Sequence, residues 1–147
     1  FLARAGSARR EHFADPSQLA TVFSRSSGLP NWVDGAYDLA ARSVLRRDEA
    51  VGDWVLCCPA ALESSIYSGT MQYGVWPTAG AFDRPVKLVC ADPTLEDAGC
   101  PARCGQALHE EMGIDYEFVP GTHHFLQMEQ PEACARIVTD FISNIAR

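Results

Sequence analysis

Two short apolar runs with a helical pattern between them constrain the fold of this chain more than any other feature. Residues 86–91 are apolar almost throughout, as strands of parallel sheets are. A helix is predicted next, because Pro101 suits a first helical turn and Gly113 suits a helix end. Residues 115–119 then form a second short strand pattern. This order of strand, helix and strand predicts a right-handed crossover and two adjacent parallel strands.

The chain ends with a histidine-bearing loop and another helical pattern. Gly121 and Thr122 allow a sharp turn after the second strand, and Pro131 suits the first turn of a final helix. Either His123 or His124 then projects from the strand end, where active sites of open α/β sheets lie. The alternative is a loop histidine that only meets solvent. We expect the final helix to bury one stripe, formed by Cys134, Ile137, Val138, Phe141, Ile142 and Ile145.

This segment resembles the end of the α/β-hydrolase fold. There the last strand precedes a loop of the form Gly-x-x-His-Phe-x-x-x-Glu-x-Pro, which Gly121, His124, Phe125, Glu129 and Pro131 match. The resemblance implies that His124 is the catalytic histidine. The implied fold class is α/β, with this chain as the C-terminal part of an α/β-hydrolase.

The earlier part of the chain resembles the cap and post-cap region of serine hydrolases in the same superfamily. The run Leu56-Cys57-Cys58-Pro59, with Glu63 and Tyr67, is similar to a Leu-x-Cys-Pro…Glu…Tyr pattern found there. The resemblance implies a helical cap region in residues 1–80. Residues 81–147 would then be the C-terminal part of the hydrolase core, with strand, helix, strand and helix in that order.

The chain contains no Gly-x-Ser-x-Gly sequence, the turn that carries the nucleophile in serine hydrolases of this fold. In that fold the serine precedes the acid and the histidine. The resemblance therefore implies that the nucleophile lies upstream of residue 1. An N-terminal half of the same protein, carrying that nucleophile, is the expected partner.

The acid of such a triad has several candidates. Asp92 follows the first strand directly, which is where the fold commonly places the acid. Measured from Pro85, however, it comes about two residues earlier than usual. Glu96 and Asp97 lie closer to the familiar distance from the histidine, and an acid upstream of this chain is also compatible with the fold. We take Asp92 as the first candidate and leave the others open.

Charge and hydropathy exclude some classes of partner. The net charge is −7, and the longest basic stretches are two residues, so nucleic acid is not an expected partner. No apolar run approaches the ~20 residues of a membrane span, so no membrane-spanning segment is expected.

The six cysteines favour reduced thiols and an intracellular, cytoplasmic setting. Cys57 and Cys58 are adjacent, while Cys90 and Cys134 occupy positions that suit small apolar side chains. Cys100 and Cys104 form one closely spaced pair. A single pair does not indicate a zinc site, even when His123 and His124 are counted as further ligands. We therefore expect no metal and no other cofactor.

The reaction expected from the resemblance is hydrolysis of an ester or a related carbon–oxygen bond by a serine, a histidine and an acid. A small apolar substrate is expected, because several aromatic residues of the first region could line a pocket: Trp32, Trp54, Tyr67, Tyr73 and Trp76. The alternative role of these residues is core packing. Two other functions stay open. One is a hydrolase-like protein that binds a small ligand without efficient catalysis. The other is an epoxide or haloalkane hydrolase with an aspartate nucleophile.

The first region is predicted to be helical and irregular. Asp15 is expected to cap a first helix, and a second helix is expected from about residue 35 to residue 47, with Asp34 as its cap and Leu39 facing the interior. Pro59 is expected to open a third helix. Glu63 on that helix suits either a substrate contact or an ion pair with an arginine such as Arg42 or Arg46.

Overall fold

The computed structural model describes residues 2–70, 76–78 and 80–145. The chain forms two compact units: the first comprises Phe1–Ser26 and Asp34–Trp76, and the second comprises Ser27–Val33 and Pro77–Arg147. The functional division into residues 1–80 and 81–147 stays a prediction.

In its described residues, the first unit combines four helices with a small antiparallel sheet. In chain order its elements are α1 (Leu2–Ser7), β1 (His12–Phe13), α2 (Pro16–Ser24), α3 (Ala36–Ser43), β2 (Leu45–Asp48), β3 (Asp53–Leu56) and α4 (Ala60–Thr70). The strand order is β1-β3-β2, with both pairs antiparallel. Its core consists of Phe13, Leu19, Ala20, Ala41, Leu45 and Leu56. This sheet was not predicted, since the region was expected to be helical and irregular.

Two of the three helix starts predicted in this unit are confirmed. Asp15 caps α2 by accepting a hydrogen bond from the backbone N–H of Ser17 at 2.8 Å. The third predicted helix, α4, begins directly after Pro59. The predicted ion pair of Glu63 on α4 with an arginine is confirmed, but the partner is Arg9, whose Nη1 lies 2.6 Å from Oε2, and not Arg42 or Arg46.

The predicted helix from residue 35 to residue 47 is wrong beyond Ser43. There the chain turns into β2, because Leu45 is buried and pairs with Leu56 across the ladder to β3. The cap is also different: Gly35 occupies the N-cap position with φ 79°, and no side chain caps the helix. Leu39, expected in the interior, is 66% exposed.

The second unit contains the predicted parallel pair. Its elements are β4 (Lys87–Ala91), α5 (Cys100–Met112), β5 (Asp115–Val119), α6 (Leu126–Glu129) and α7 (Pro131–Ile145). The strands β4 and β5 pair in parallel from Lys87 with Asp115 to Ala91 with Val119, which confirms this prediction. As predicted, Gly113 ends α5, with φ 66° and its N–H bonded to the His109 carbonyl. The architecture is mixed α/β.

Helix α5 packs against both parallel strands at a glycine. Gly105 is buried, and a Cβ at this position would overlap the sulfur of Cys90 on β4. It would also lie 3.6 Å from the Tyr116 ring on β5. Glycine thus lets the helix backbone approach the sheet closely.

The final helix buries less of its apolar stripe than expected. Ile137 is buried, whereas Val138, Ile142 and Ile145 are each about half exposed. The reason is the width of the sheet: two strands spaced ~4.8 Å apart present too narrow a surface for the whole stripe. The prediction that α7 buries the full stripe is therefore wrong for these three residues.

Candidate functional site

The candidate site lies at the carboxyl ends of β4 and β5. Ala91 and Val119 are paired across the ladder and end the two strands. Because the strands are parallel, the loops that begin at Asp92 and Pro120 leave from the same edge of the sheet. These loops also contact each other, since the Asp92 N–H donates to the Thr122 carbonyl at 3.1 Å.

Asp92 is buried and holds both loops through its carboxylate. Oδ2 accepts a hydrogen bond from the Gly121 N–H at 2.8 Å. Oδ1 accepts from the N–H and the hydroxyl of Thr94, at 2.9 and 2.6 Å. The bond from Gly121, followed by those from Thr94, lowers the pKa of Asp92. Asp92 is therefore an ionised anchor between the loop after β4 and the loop after β5.

The turn after β5 is fixed by its own backbone and by a buried hydroxyl. Gly121 has φ 71°, a conformation that glycine adopts without steric strain. Thr122 is fully buried, and its hydroxyl donates to the Val119 carbonyl at 2.7 Å. This turn determines where the two histidines that follow it leave the sheet edge.

His124 is exposed and lies beside a cavity of about 220 Å³. The cavity is otherwise lined mainly by apolar groups, from Val89, Ala91, Pro101, Ala102 and Leu126. The His124 ring contacts the Phe125 ring edge-on, with centroids 4.8 Å apart. Within residues 2–70, 76–78 and 80–145, His124 makes no hydrogen bond or ion pair. Both ring nitrogens are thus available to other groups.

His123, by contrast, is held between two carboxylates. Its backbone N–H donates to Glu129 Oε1 at 2.9 Å, and its Nδ1 lies 3.1 Å from Glu129 Oε2. On the other side, Nε2 lies 3.5 Å from Asp97 Oδ2. The Glu129 side chain is almost completely buried, while that of Asp97 is 70% exposed. Glu129 therefore fixes the loop at the residue next to His124.

The structure does not pair the two residues predicted to be catalytic. Asp92 and His124 both follow the carboxyl edge of the sheet, but no hydrogen bond joins them among the described residues. Of the alternative acids, Asp97 contacts His123 instead of His124. The Glu96 side chain is exposed, and its backbone carbonyl accepts a long bond of 3.5 Å from Arg103.

The link between His123 and Glu129 is absent from the sequence predictions. The available signal was the acidic residue of the loop motif, six positions after His123. That spacing crosses the short helix α6, whose position a sequence pattern does not specify.

The aromatic residues suggested as a pocket lining fall into different environments. Trp32 packs edge-on against Phe125, with ring centroids 5.4 Å apart. Trp54 packs against the core of the first unit, and the Arg47 guanidinium lies 6.0 Å from its ring centroid. Trp76 is 44% exposed, and Tyr73 lies outside the described residues. Trp32 thus lies next to the histidine loop.

All six cysteines are free thiols. Among the described residues, no group of three histidine, cysteine or acidic side chains is arranged to hold a metal ion. In the described part of the chain, no helix has both the length and the apolar character needed to cross a membrane.

Comparisons of the chain with protein-family models, curated proteins and solved structures give no match. A function is therefore inferred from the geometry of the site and from the sequence motif.

Proposed function

We propose that this chain carries the histidine and the acid of a hydrolase that cleaves an ester or a related carbon–oxygen bond. The observation that carries the proposal is the position of His124, exposed beside an apolar cavity at the carboxyl edge of a parallel strand pair. In open α/β sheets, that edge is where ligands bind. In this proposal a serine from a segment before residue 1 supplies the nucleophile.

His124 would act as general base and then as general acid. A neutral imidazole accepts the serine proton during attack and returns it to the leaving group. This requires one ring nitrogen for the serine and the other for an orienting carboxylate. The absence of other bonds to His124 in the described part of the chain is compatible with both contacts.

Asp92 is the proposed orienting acid. Its Oδ2 accepts one hydrogen bond, from Gly121, and a carboxylate oxygen can accept two. The lowered pKa of Asp92, caused first by the Gly121 N–H, keeps the group ionised for this role. A bond from the His124 ring to Oδ2 would complete the arrangement once the nucleophile is in place.

The cavity supports a small apolar substrate group. Its volume of about 220 Å³ is below the ~300–1,000 Å³ of sites for drug-sized ligands. A short acyl or alkyl group fits this space better than a long chain does.

A second candidate function is binding of a small apolar ligand without efficient catalysis. The observation that favours it is the engagement of both Asp92 oxygens by Thr94 and Gly121. Without a hydrogen bond from the His124 ring to Oδ2, which the described residues do not show, His124 has no orienting carboxylate from Asp92. Turnover measurements distinguish the two functions.

The test compares two histidine variants of the full-length protein with short p-nitrophenyl esters. His124→Ala should lower kcat by about 10³-fold or more, because it removes the base of a serine mechanism. The control is His12→Ala, which replaces an exposed side chain in the first unit and should leave kcat unchanged. Unfolding temperatures of both variants should match the parent protein.

Two outcomes would contradict the proposal. Turnover by His124→Ala within about tenfold of the parent protein would remove His124 from the mechanism. Absence of esterase turnover in the parent protein, together with saturable binding of a short apolar ligand, would favour the binding function.

A further inference from the structure

The first turn of α5 carries two thiols that contact each other. The sulfur atoms of Cys100 and Cys104 lie 3.4 Å apart. Cys100 is the first residue of the helix and is exposed, while Cys104 is half-buried. Both are free thiols in this structure.

We propose that Cys100 and Cys104 form a reversible disulfide when a hydroperoxide oxidises the protein, and that this bond reshapes the cavity beside His124. The site is a modification site, with hydrogen peroxide or an organic hydroperoxide as the co-substrate. The inference is independent of the proposed hydrolase function.

The two thiols have different roles in this reaction. The hydrogen bond with Cys100 is the largest cause of the raised pKa of the Cys104 thiol. The raised pKa favours the protonated form of Cys104, and either sulfur can be the donor in the contact between the two thiols. Cys100 is also the more exposed of the two, so it is the sulfur that meets the oxidant.

The proposed chemistry has two balanced steps. The Cys100 sulfur attacks one peroxide oxygen, so that an S–O bond forms, the O–O bond breaks, and water or an alcohol leaves with the thiol proton. The Cys104 sulfur then attacks the Cys100 sulfur, the S–O bond breaks, and a second water leaves with the Cys104 proton. The sulfur pair loses two electrons, and the peroxide gains them.

Closing the disulfide requires a local change in α5. Residues four apart on a helix have Cβ atoms ~5–6 Å apart, whereas a disulfide needs ~3.5–4.5 Å. The change can stay within the first turn, because Cys100 begins the helix and Pro101 has no N–H to lose. The affected bond is the helical one from the Cys104 N–H to the Cys100 carbonyl.

The moving turn borders the cavity that His124 also lines. Gly99, Pro101 and Ala102, the neighbours of Cys100, contribute to the cavity wall. A shift of Cys100 toward Cys104 therefore alters the wall of the cavity that His124 also lines. Oxidation of a surface thiol is in this way linked to the candidate site.

The cleavage pattern of trypsin gives a direct test for the bond. Arg103 lies between the two cysteines, so digestion of the full-length protein places them in separate peptides, 88–103 and 104–136. After treatment with hydrogen peroxide and alkylation, these two peptides should remain joined and should separate on reduction. Fragmentation should locate the link between Cys100 and Cys104.

Matched serine variants exclude the other thiols of the same peptides. Cys100→Ser and Cys104→Ser should each abolish the joined peptide, whereas Cys90→Ser and Cys134→Ser should not. The adjacent exposed pair Cys57 and Cys58 serves as an internal comparison. Proximity should make the proposed link form about tenfold faster than any link involving that pair.

The effect on the cavity is measured by NMR of the histidine rings. Oxidation should shift the His124 ring resonances and reduction should restore them, with no change at His12. The Cys100→Ser variant should show no such shift. Formation of sulfinic acid on Cys100 without a disulfide, or a disulfide that leaves the His124 resonances unchanged, would overturn the proposal.

Discussion

The close approach of α5 to β4 predicts a large energetic coupling between Gly105 and Cys90. In the parent protein, Gly105→Ala places a Cβ inside the contact distance of the Cys90 sulfur. Overpacking of this kind costs about 1–3 kcal/mol. Alanine also favours a helix over glycine by about 1 kcal/mol. The net result should be a destabilisation of about 0–2 kcal/mol.

Removing the sulfur should reverse the sign of that effect. In a Cys90→Ala background the overlap disappears, since the next atoms near the new Cβ are 3.6–3.7 Å away. Gly105→Ala should then stabilise the protein by about 1 kcal/mol through helix propensity alone. The expected coupling free energy in this double-mutant cycle is therefore about 1–3 kcal/mol.

The assay is chemical denaturation of the four proteins of the cycle, with circular dichroism and tryptophan fluorescence as parallel probes. Agreement of the two probes supports a two-state comparison. A coupling energy below about 0.5 kcal/mol would refute the packing described for α5, because distant independent sites show values of that size.

Two further predictions concern the histidine loop. Glu129→Ala should lower the free energy of unfolding by about 3 kcal/mol, because it removes two hydrogen bonds from His123 to a buried carboxylate. The control is Glu132→Ala, which replaces an exposed side chain and should change the free energy of unfolding by less than about 0.5 kcal/mol in the same denaturation assay. Asp92 has a lowered pKa, so its stabilising contribution is present above its ordinary pKa of 3.8 and is lost as the pH falls through the lower folded value. As the pH falls below 3.8, the free energy of unfolding should therefore decrease less steeply in Asp92→Asn than in the parent protein. Equal slopes in the two proteins would contradict the hydrogen bonds described for this carboxylate.

The elements that could be predicted from the sequence are those with strong local signals. Helix α5 has Pro101 in its first turn and Gly113 as its C-cap, and α7 begins at Pro131. The apolar run at residues 86–91 is typical of a buried parallel strand, and β4 covers most of it. In these segments the local preference and the tertiary packing agree.

The failures occur where tertiary contacts override local preference. Residues 44–47 continue a helical pattern, but Leu45 gains more from pairing with Leu56 beside the core. The stripe on α7 is correct in its spacing, yet its burial depends on how many strands lie beneath it. Sequence periodicity carries no information about that number.

The candidate site was predictable in location but not in its contacts. A histidine after β5 and an acid after β4 must leave the same edge of a parallel sheet, so the sequence places His124 and Asp92 there. The partners depend on the path of two loops. The three bonds to Asp92 and the carboxylates beside His123 follow from that path, which residue spacing does not determine.

The role of His124 as the base of a serine nucleophile can be measured as the rate at which a fluorophosphonate labels the full-length protein. One label per chain is expected, on a serine outside residues 1–147. The labelling rate should be about 10³-fold lower in His124→Ala, because the serine loses its base, and unchanged in His12→Ala. Absence of labelling, or an equal rate in His124→Ala and the parent protein, would contradict the assignment of His124 as the base of a serine hydrolase.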